Sequence, residues 1–329
     1  QMLPCDDLSL GQQTDTTRKW IEQGVETIYE AAFSEKGVFA RVDILHKGPD
    51  GWELYEVKSS TKAKEVYIQD VAVQTWILKQ AGLKVSKSVL ITLDSTYHRQ
   101  GDIDVQGLFS YHDLTEQANA LQGFVQTEID GMKAMLTKGE KPEVPISKHC
   151  EKPYQCLFYS QCHGEATEDS AFRIVDTGKP DSYALYHAGQ TSFADVDLNQ
   201  LKWRQRQQVE SYRNQTNHVK GDELRQFLLD LWYPICYLDF ETTYMVAIPM
   251  FDGTRPYQQI PFQFSMHIQH EMDGPVEHIE FLAEPGVDPR PALLEKLLSS
   301  IPKDACILAY NKGFEERCLK EMAQAFPEY

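Results

Sequence analysis

The stretch Val42-Asp43-Ile44-Leu45, followed by Glu53-Leu54-Tyr55-Glu56-Val57-Lys58, decides how this chain is read. The two runs flank Gly48-Pro49-Asp50-Gly51, a turn signal that predicts a β-hairpin. Each strand delivers an acid. Asp43 precedes Glu56 by 13 residues, and Lys58 stands two beyond Glu56. Side chains alternate along a strand, so Glu56 and Lys58 share one face and Val57 points to the other. Two carboxylates and an ammonium at one sheet edge suit a divalent metal, an activated water and a phosphodiester.

Outward from the hairpin, the upstream segment 14–33 reads as a helix through Trp20, Ile21 and Val25, then a strand from Thr27 to Phe33. Glu30 on that strand is either a solvated edge carboxylate or a member of the acidic site. Downstream, Ser59 to Lys64 is a small, polar, basic connector. Ile68, Val71, Ala72, Trp76, Ile77 and Ala81 then keep a helical period up to Gly82. Asp70 and Gln74 are four apart on one face of that helix. Ser88 to Leu93 reads as a buried strand, and Asp113 to Leu136 as a single amphipathic helix. The order strand, hairpin, helix, strand predicts an α/β core with a mixed sheet. Between Lys58 and Lys87, six lysines face only Glu65 and Asp70, a local charge of +4. A solvated helix face and a phosphate-tracking surface that includes Lys62 and Lys64 both account for it.

The totals bound the rest. At 329 residues, 42% hydrophobic and 11% aromatic, the chain has material for about two folded domains. A net charge of −17 argues against a nonspecific nucleic-acid coat, but it leaves room for an acidic metal site with local basic patches. No apolar run is long enough for a membrane span and no secretory signal opens the chain, so no membrane partner and a cytoplasmic location are expected. The chain begins at Gln1 and is expected to be a fragment.

Cys150, Cys156 and Cys162, flanked by His149 and His163, are regularly spaced in a cysteine-poor chain. In a reducing compartment such clustering favours metal over a disulfide. Zinc would want a Cys-x2-Cys element, which is missing. An iron–sulfur cluster tolerates the wider spacing and needs a fourth thiolate, for which Cys5 is the N-terminal candidate, with His149 or His163 as substitutes. Residues 165–181, including Glu165, Asp176, Gly178 and Pro180, lose periodicity and read as a linker. Leu201 to Leu231 reads as helical, with a second basic patch at Lys202, Arg204, Arg206 and Arg213 against Glu210. Domain limits of 1–165, 166–232 and 233–329 follow.

In the last segment, Ile235 to Thr242 is an apolar strand carrying Asp239 and Glu241 on one face, a second pair of candidate metal ligands. A hairpin (Pro261–His270 with Val276–Phe281), a helix (Pro291–Ile301) and a strand (Ala305–Tyr310) follow. Asn311 and Glu315 open a final helix.

Asp43 with Glu56-Val57-Lys58 resembles the PD-(D/E)XK nuclease signature. The framing cysteines are similar to those of RecB-like, Cas-type iron–sulfur exonucleases, over about residues 25–163. That resemblance implies a restriction-endonuclease-like core and a Mg²⁺- or Mn²⁺-dependent deoxyribonuclease acting on DNA ends or single strands. Asp43 and Glu56, with Glu30, would hold the metal, and Lys58 would orient water or stabilise developing charge. A 4Fe–4S cluster would sit on Cys150, Cys156, Cys162 and a fourth ligand. The family's Gln-x3-Tyr helix motif aligns with Asp70 and Gln74, a departure in both residues. Residues 236–329 resemble the front half of a DnaQ-like (DEDD) 3′–5′ exonuclease of RNase H-like fold. Asp239 and Glu241 match its first motif, and Asn311 with Glu315 its second, with Glu where the family has Asp. The third and fourth acidic motifs would lie beyond Tyr329. The order of the two halves is similar to that of an uncharacterised bacterial two-domain family. Two rival expectations stand beside the nuclease. One is a catalytically inactive nucleic-acid-binding or scaffolding module; the other is 3′–5′ exonuclease activity carried by the DnaQ-like half of a longer protein.

Overall fold

The computed structural model describes residues 1–164, 167–175 and 181–329; of the expected linker, Glu165, Asp176, Gly178 and Pro180 lie outside the described residues. The protein is mixed α/β, with a five-stranded and a four-stranded sheet, each containing parallel and antiparallel pairs. Two compact units partition the chain, residues 1–137 with 231–329, and residues 138–230. The cysteine segment and the basic helical segment, assigned to different domains on sequence grounds, fall within the same unit.

The first unit opens with helix α1 (Leu10–Glu22), capped by the Ser9 side chain in a reciprocal box with Gln12. Strands β1 (Thr27–Glu35), β2 (Val38–Gly48) and β3 (Gly51–Lys58) follow as antiparallel neighbours. Helix α2 (Glu65–Gln80) then carries the chain to β4 (Val85–Leu93), which lies parallel to β3. This is the crossover that a parallel pair requires. A short helix α3 (Val105–Leu108) leads into β5 (Phe109–Asp113), antiparallel to β4 and completing the order β1-β2-β3-β4-β5. The core beneath α2 joins Ile28, Leu45 and Leu54 from the sheet with Val71, Trp76 and Ile77 from the helix. The expected helix Asp113–Leu136 is corrected. Asp113 ends β5, and its carboxylate accepts from Thr115 N–H and hydroxyl to start α4 (Thr115–Ala120). Leu121 then separates α4 from α5 (Gln122–Lys138).

In the second unit, α7 (Ser182–His187) and α8 (Trp203–Asn214) contribute Leu185 and Val209 to a small core with Phe193 and Val196, whereas α6 (Tyr159–His163) and α9 (Gly221–Leu229) bury no residue. The expected continuous helix over 201–231 is two. Gln215 takes a left-handed conformation (φ 51°) that closes α8.

The chain returns to the first unit with β6 (Ile235–Thr242), β7 (Pro261–Gln269) and β8 (Val276–Leu282). Helix α10 (Pro289–Ser300), the short β9 (Cys306–Leu308) and α11 (Lys312–Ala325) complete it. The order is β8-β7-β6-β9, with β9 parallel to β6. The strand expected over 305–310 keeps only three residues. Among the described residues, no helix is long and apolar enough to cross a membrane.

Candidate metal and nucleic-acid site

Asp43 sits where two strands change face together. In β1 the buried core positions shift from Ile28 to Ala31 and Phe33, from even to odd numbering. In β2 they shift from Val42 to Leu45. Alternation cannot produce this unless the backbone turns between them, and Glu30 supplies the turn with φ 58°, a left-handed value inside a strand. Tyr29 pairs with Ile44 and Ala31 with Val42, so the register sets Glu30 opposite Asp43. On the other side, Ile44 pairs with Tyr55, so the same register puts Glu56 beside Asp43. The three acids thus occupy one row across β1, β2 and β3.

Glu56 is the buried member, 4% exposed. Its Oε1 lies 2.5 Å from Lys58 Nζ, and its Oε2 accepts from Gln74 Nε2 at 2.7 Å. Lys58 Nζ also donates to Asp70 Oδ2 at 2.7 Å and lies 5.6 Å from the Tyr67 ring centre. Asp43 Oδ2 accepts the Val57 backbone N–H at 2.7 Å, tying the β2 acid to the strand that carries the other acid and the lysine. Asp70 and Gln74 are one helical turn apart on α2, which explains how both reach the same lysine–glutamate pair.

Burial pushes the Glu56 carboxyl up to about 7, against the hydrogen bonds from Lys58 and Gln74 and reinforced by nearby Asp43. Burial acts the other way on Lys58, but hydrogen bonds to Asp70 and Glu56 outweigh it and hold the ammonium above its ordinary range. The lysine is the charged partner, and Glu56 is the group whose ionisation costs energy. A divalent cation would relieve that cost, and the hard oxygens of Asp43 and Glu56 suit Mg²⁺ or Mn²⁺. Among the described residues no three His, Cys, Asp or Glu side chains converge as a ready metal shell. At Glu56, Lys58 and Gln74 engage both oxygens.

The +4 segment divides by role. Lys87 pairs with Glu53 at 3.2 Å and Lys79 donates to Asn119 at 2.6 Å, so these two serve the fold. Lys62 and Lys64 are exposed on the connector after β3, with Lys64 5.4 Å from the Tyr67 ring centre. They follow Lys58 by four and six residues.

The second acidic set is not assembled in the same way. Asp239 and Glu241 project from the exposed face of β6, opposite Ser265 and Gln263 on β7. Asn311 is exposed at the start of α11. Glu315 is buried beside Cys318 and Met322, and its Oε2 has no hydrogen-bond partner among the described residues.

In the second unit, all three clustered cysteines are free thiols. Cys150 is buried against Ile146 and Tyr183, while Cys156 and Cys162 are exposed. The Cys156 N–H donates to the Cys150 carbonyl at 2.8 Å. His163 stacks on Tyr159 at 3.8 Å, pairs through Nδ1 with the Tyr159 carbonyl, and buries an Nε2 that has no partner among the described residues. His149 Nδ1 lies 2.6 Å from Ser147 Oγ. Cys5, half-buried, belongs to the first unit.

Sequence reasoning missed the contacts between the halves of the first unit. Arg99 N–H donates to the Thr254 carbonyl at 3.0 Å, and Gly253 N–H returns a bond to the Arg99 carbonyl at 2.8 Å. Arg99 Nη1 reaches the Pro249 and Met250 carbonyls, and the Tyr257 hydroxyl reaches Ser59. The partners are some 150 to 200 residues apart. The local hints are the polar composition around Gly101 in one loop and Pro249, Gly253 and Pro256 in the other. Against known proteins, residues 236–329 match the model of a family described as a domain of unknown function, DUF2779. No curated protein and no solved structure matches the chain.

Proposed function

We propose that the chain is a metal-dependent nuclease of PD-(D/E)XK type that hydrolyses phosphodiester bonds in DNA, at ends or in single strands. The observation that carries this reading is the Asp43–Glu56–Lys58 arrangement on adjacent strands, with Glu56 buried and Lys58 held charged beside it. The parallel β3–β4 pair linked by α2 fits a restriction-endonuclease-like core. In this reading Asp43 and Glu56, with Glu30, would hold Mg²⁺ or Mn²⁺. The ion would supply a water of lowered pKa and a Lewis acid for the phosphate. Lys58 places its ammonium where negative charge develops on the phosphorus oxygens. Asp70 keeps that ammonium oriented, and Gln74 fixes the Glu56 carboxylate. Lys62 and Lys64, on the connector after β3, meet the DNA backbone.

The Cys150, Cys156 and Cys162 thiols are soft donors that would suit an iron–sulfur cluster, with His149 or the His163 nitrogen that lacks a partner among the described residues, both in the same unit, as fourth ligand. The cluster's part in this reading is structural. Anaerobically purified protein would be brown; colourless protein with stoichiometric zinc would exclude the cluster.

The β6 half takes no catalytic role in this reading, because Glu315 is buried in its core while Asp239 and Glu241 face outward. The test is cleavage of single- and double-stranded DNA in Mg²⁺ or Mn²⁺, expected for the parent and lost in Glu56→Ala. Equal rates for the two proteins would reject the assignment. Binding in EDTA without cleavage in Mn²⁺ would identify an inactive binding module.

A further inference from the structure

Next to the acidic row, Tyr257 joins the two halves of the first unit, as Arg99 does from another loop. Tyr257 adopts φ 60°, a costly value for an aromatic residue, and its N–H is held by the Val246 carbonyl at 2.8 Å. The hydroxyl donates to the Ser59 carbonyl at 2.7 Å and lies 2.6 Å from Ser59 Oγ. Ser59 directly follows Lys58. The loop carrying Tyr257 is therefore tied to the end of β3, where the charged lysine stands.

Tyr257 also lines a cavity of about 120 Å³ together with Arg255, Gln258, Gln259, Arg317 and Glu321. That is room for several waters, or for one phosphate group. Glu321 does not make the cavity acidic. Its two oxygens accept from Arg255 Nη2 at 2.9 Å and Gln258 Nε2 at 3.0 Å. Arg317 Nη2 donates to Gln259 Oε1 at 2.6 Å. A guanidinium has five N–H donors, so each arginine keeps donors beyond these bonds, and two arginines face one neutralised carboxylate. Two planar guanidinium groups on one cavity of a chain of net charge −17 suit a phosphate.

We propose that this cavity binds a backbone phosphate of the DNA strand presented to Lys58. The half that matches the domain of unknown function would thus serve the first sheet's site as a substrate-binding wall. The proposal rests on the nuclease reading for the identity of the strand, but it is tested by binding alone. The full chain in EDTA is titrated with a fluorescein-labelled oligothymidylate of about twenty nucleotides, at several salt concentrations.

Arg317→Ala and Arg255→Gln are each expected to weaken binding about tenfold and to lower the salt slope by about one. Lys312→Ala, on the same helix and paired with Glu316, is the control and binds like the parent. Arg317 is exposed, so its truncation tolerates folding even where Arg255→Gln does not. Unchanged affinity and slope in Arg317→Ala, or a parent that does not bind the oligonucleotide, overturns the proposal. Thymidine monophosphate bound as tightly as the oligonucleotide, and lost in Arg317→Ala, overturns the assignment to a strand. If the arginine variants weaken binding and the parent cleaves nothing in Mn²⁺, the nuclease reading fails and the phosphate cavity stands.

Discussion

Replacing Glu56 by Gln keeps the shape of the side chain and removes the charge whose burial is costly. With both oxygens engaged and 4% exposure, the carboxyl is raised from the ordinary 4.5 to about 7. The folded protein therefore holds a proton at Glu56 that the unfolded chain releases between those values. The stability this contributes is full below the unfolded value, falls as pH rises, and is gone above about 7. The span corresponds to about 3 kcal/mol. Urea denaturation in EDTA at pH 5 and pH 8 measures it. The parent should lose about 2 to 3 kcal/mol more than Glu56→Gln across that interval. Acids common to both proteins cancel in the difference, and Lys58, still paired with Asp70, titrates outside the window. Mn²⁺ at pH 8 and about 100 times its dissociation constant should return about 2.7 kcal/mol to the parent and little to the variant. Parallel pH dependences would refute the desolvated Glu56 from which the site is built.

Further expectations follow from other residues. Lys58→Met removes the partner of a buried carboxylate, and should abolish cleavage while lowering stability at pH 8 by about 3 kcal/mol; a rate within tenfold of the parent would remove Lys58 from the chemistry. Asp288→Ala leaves Arg290, 3% exposed and doubly hydrogen-bonded to that carboxylate, without its anion. A loss of about 3 to 5 kcal/mol in denaturant titration is expected, and a loss below about 1 would contradict the pairing. Leu54→Ala, in the core beneath α2, should cost about 2 to 5 kcal/mol by the same measurement. Asp239→Ala should leave Mn²⁺-dependent cleavage by this chain within about twofold of the parent; a loss like that of Glu56→Ala would shift the chemistry to β6.

What the sequence made legible follows from local patterning. Alternation through Glu56-Val57-Lys58, the helical period from Ile68 to Ala81 and the apolar run Ser88–Leu93 were enough for the hairpin, α2 and β4 in a mixed sheet; that β4 runs parallel to β3 was not legible. Strand β5 was hidden because Phe109-Ser110-Tyr111-His112-Asp113 is short and has no β-branched residue, and the helical period after it absorbed Asp113. Local spacing put Asp70 and Gln74 on one face. That this face meets Lys58 and Glu56 depends on how α2 lies across the sheet, which periodicity alone does not determine. The face switch at Glu30 is invisible in one-dimensional patterning, since a left-handed residue within a strand has no sequence signal when it is not glycine. The bond from Tyr257 to Ser59 spans 198 residues and belongs to tertiary packing.

Which acids hold a divalent ion decides between the two sheets. Anomalous diffraction from crystals of the full chain soaked in Mn²⁺ locates it directly. A peak between the Asp43 and Glu56 carboxylates is expected, with Lys58 displaced from Glu56. Density only at Asp239 and Glu241, with the Glu56–Lys58 pair intact, would contradict it.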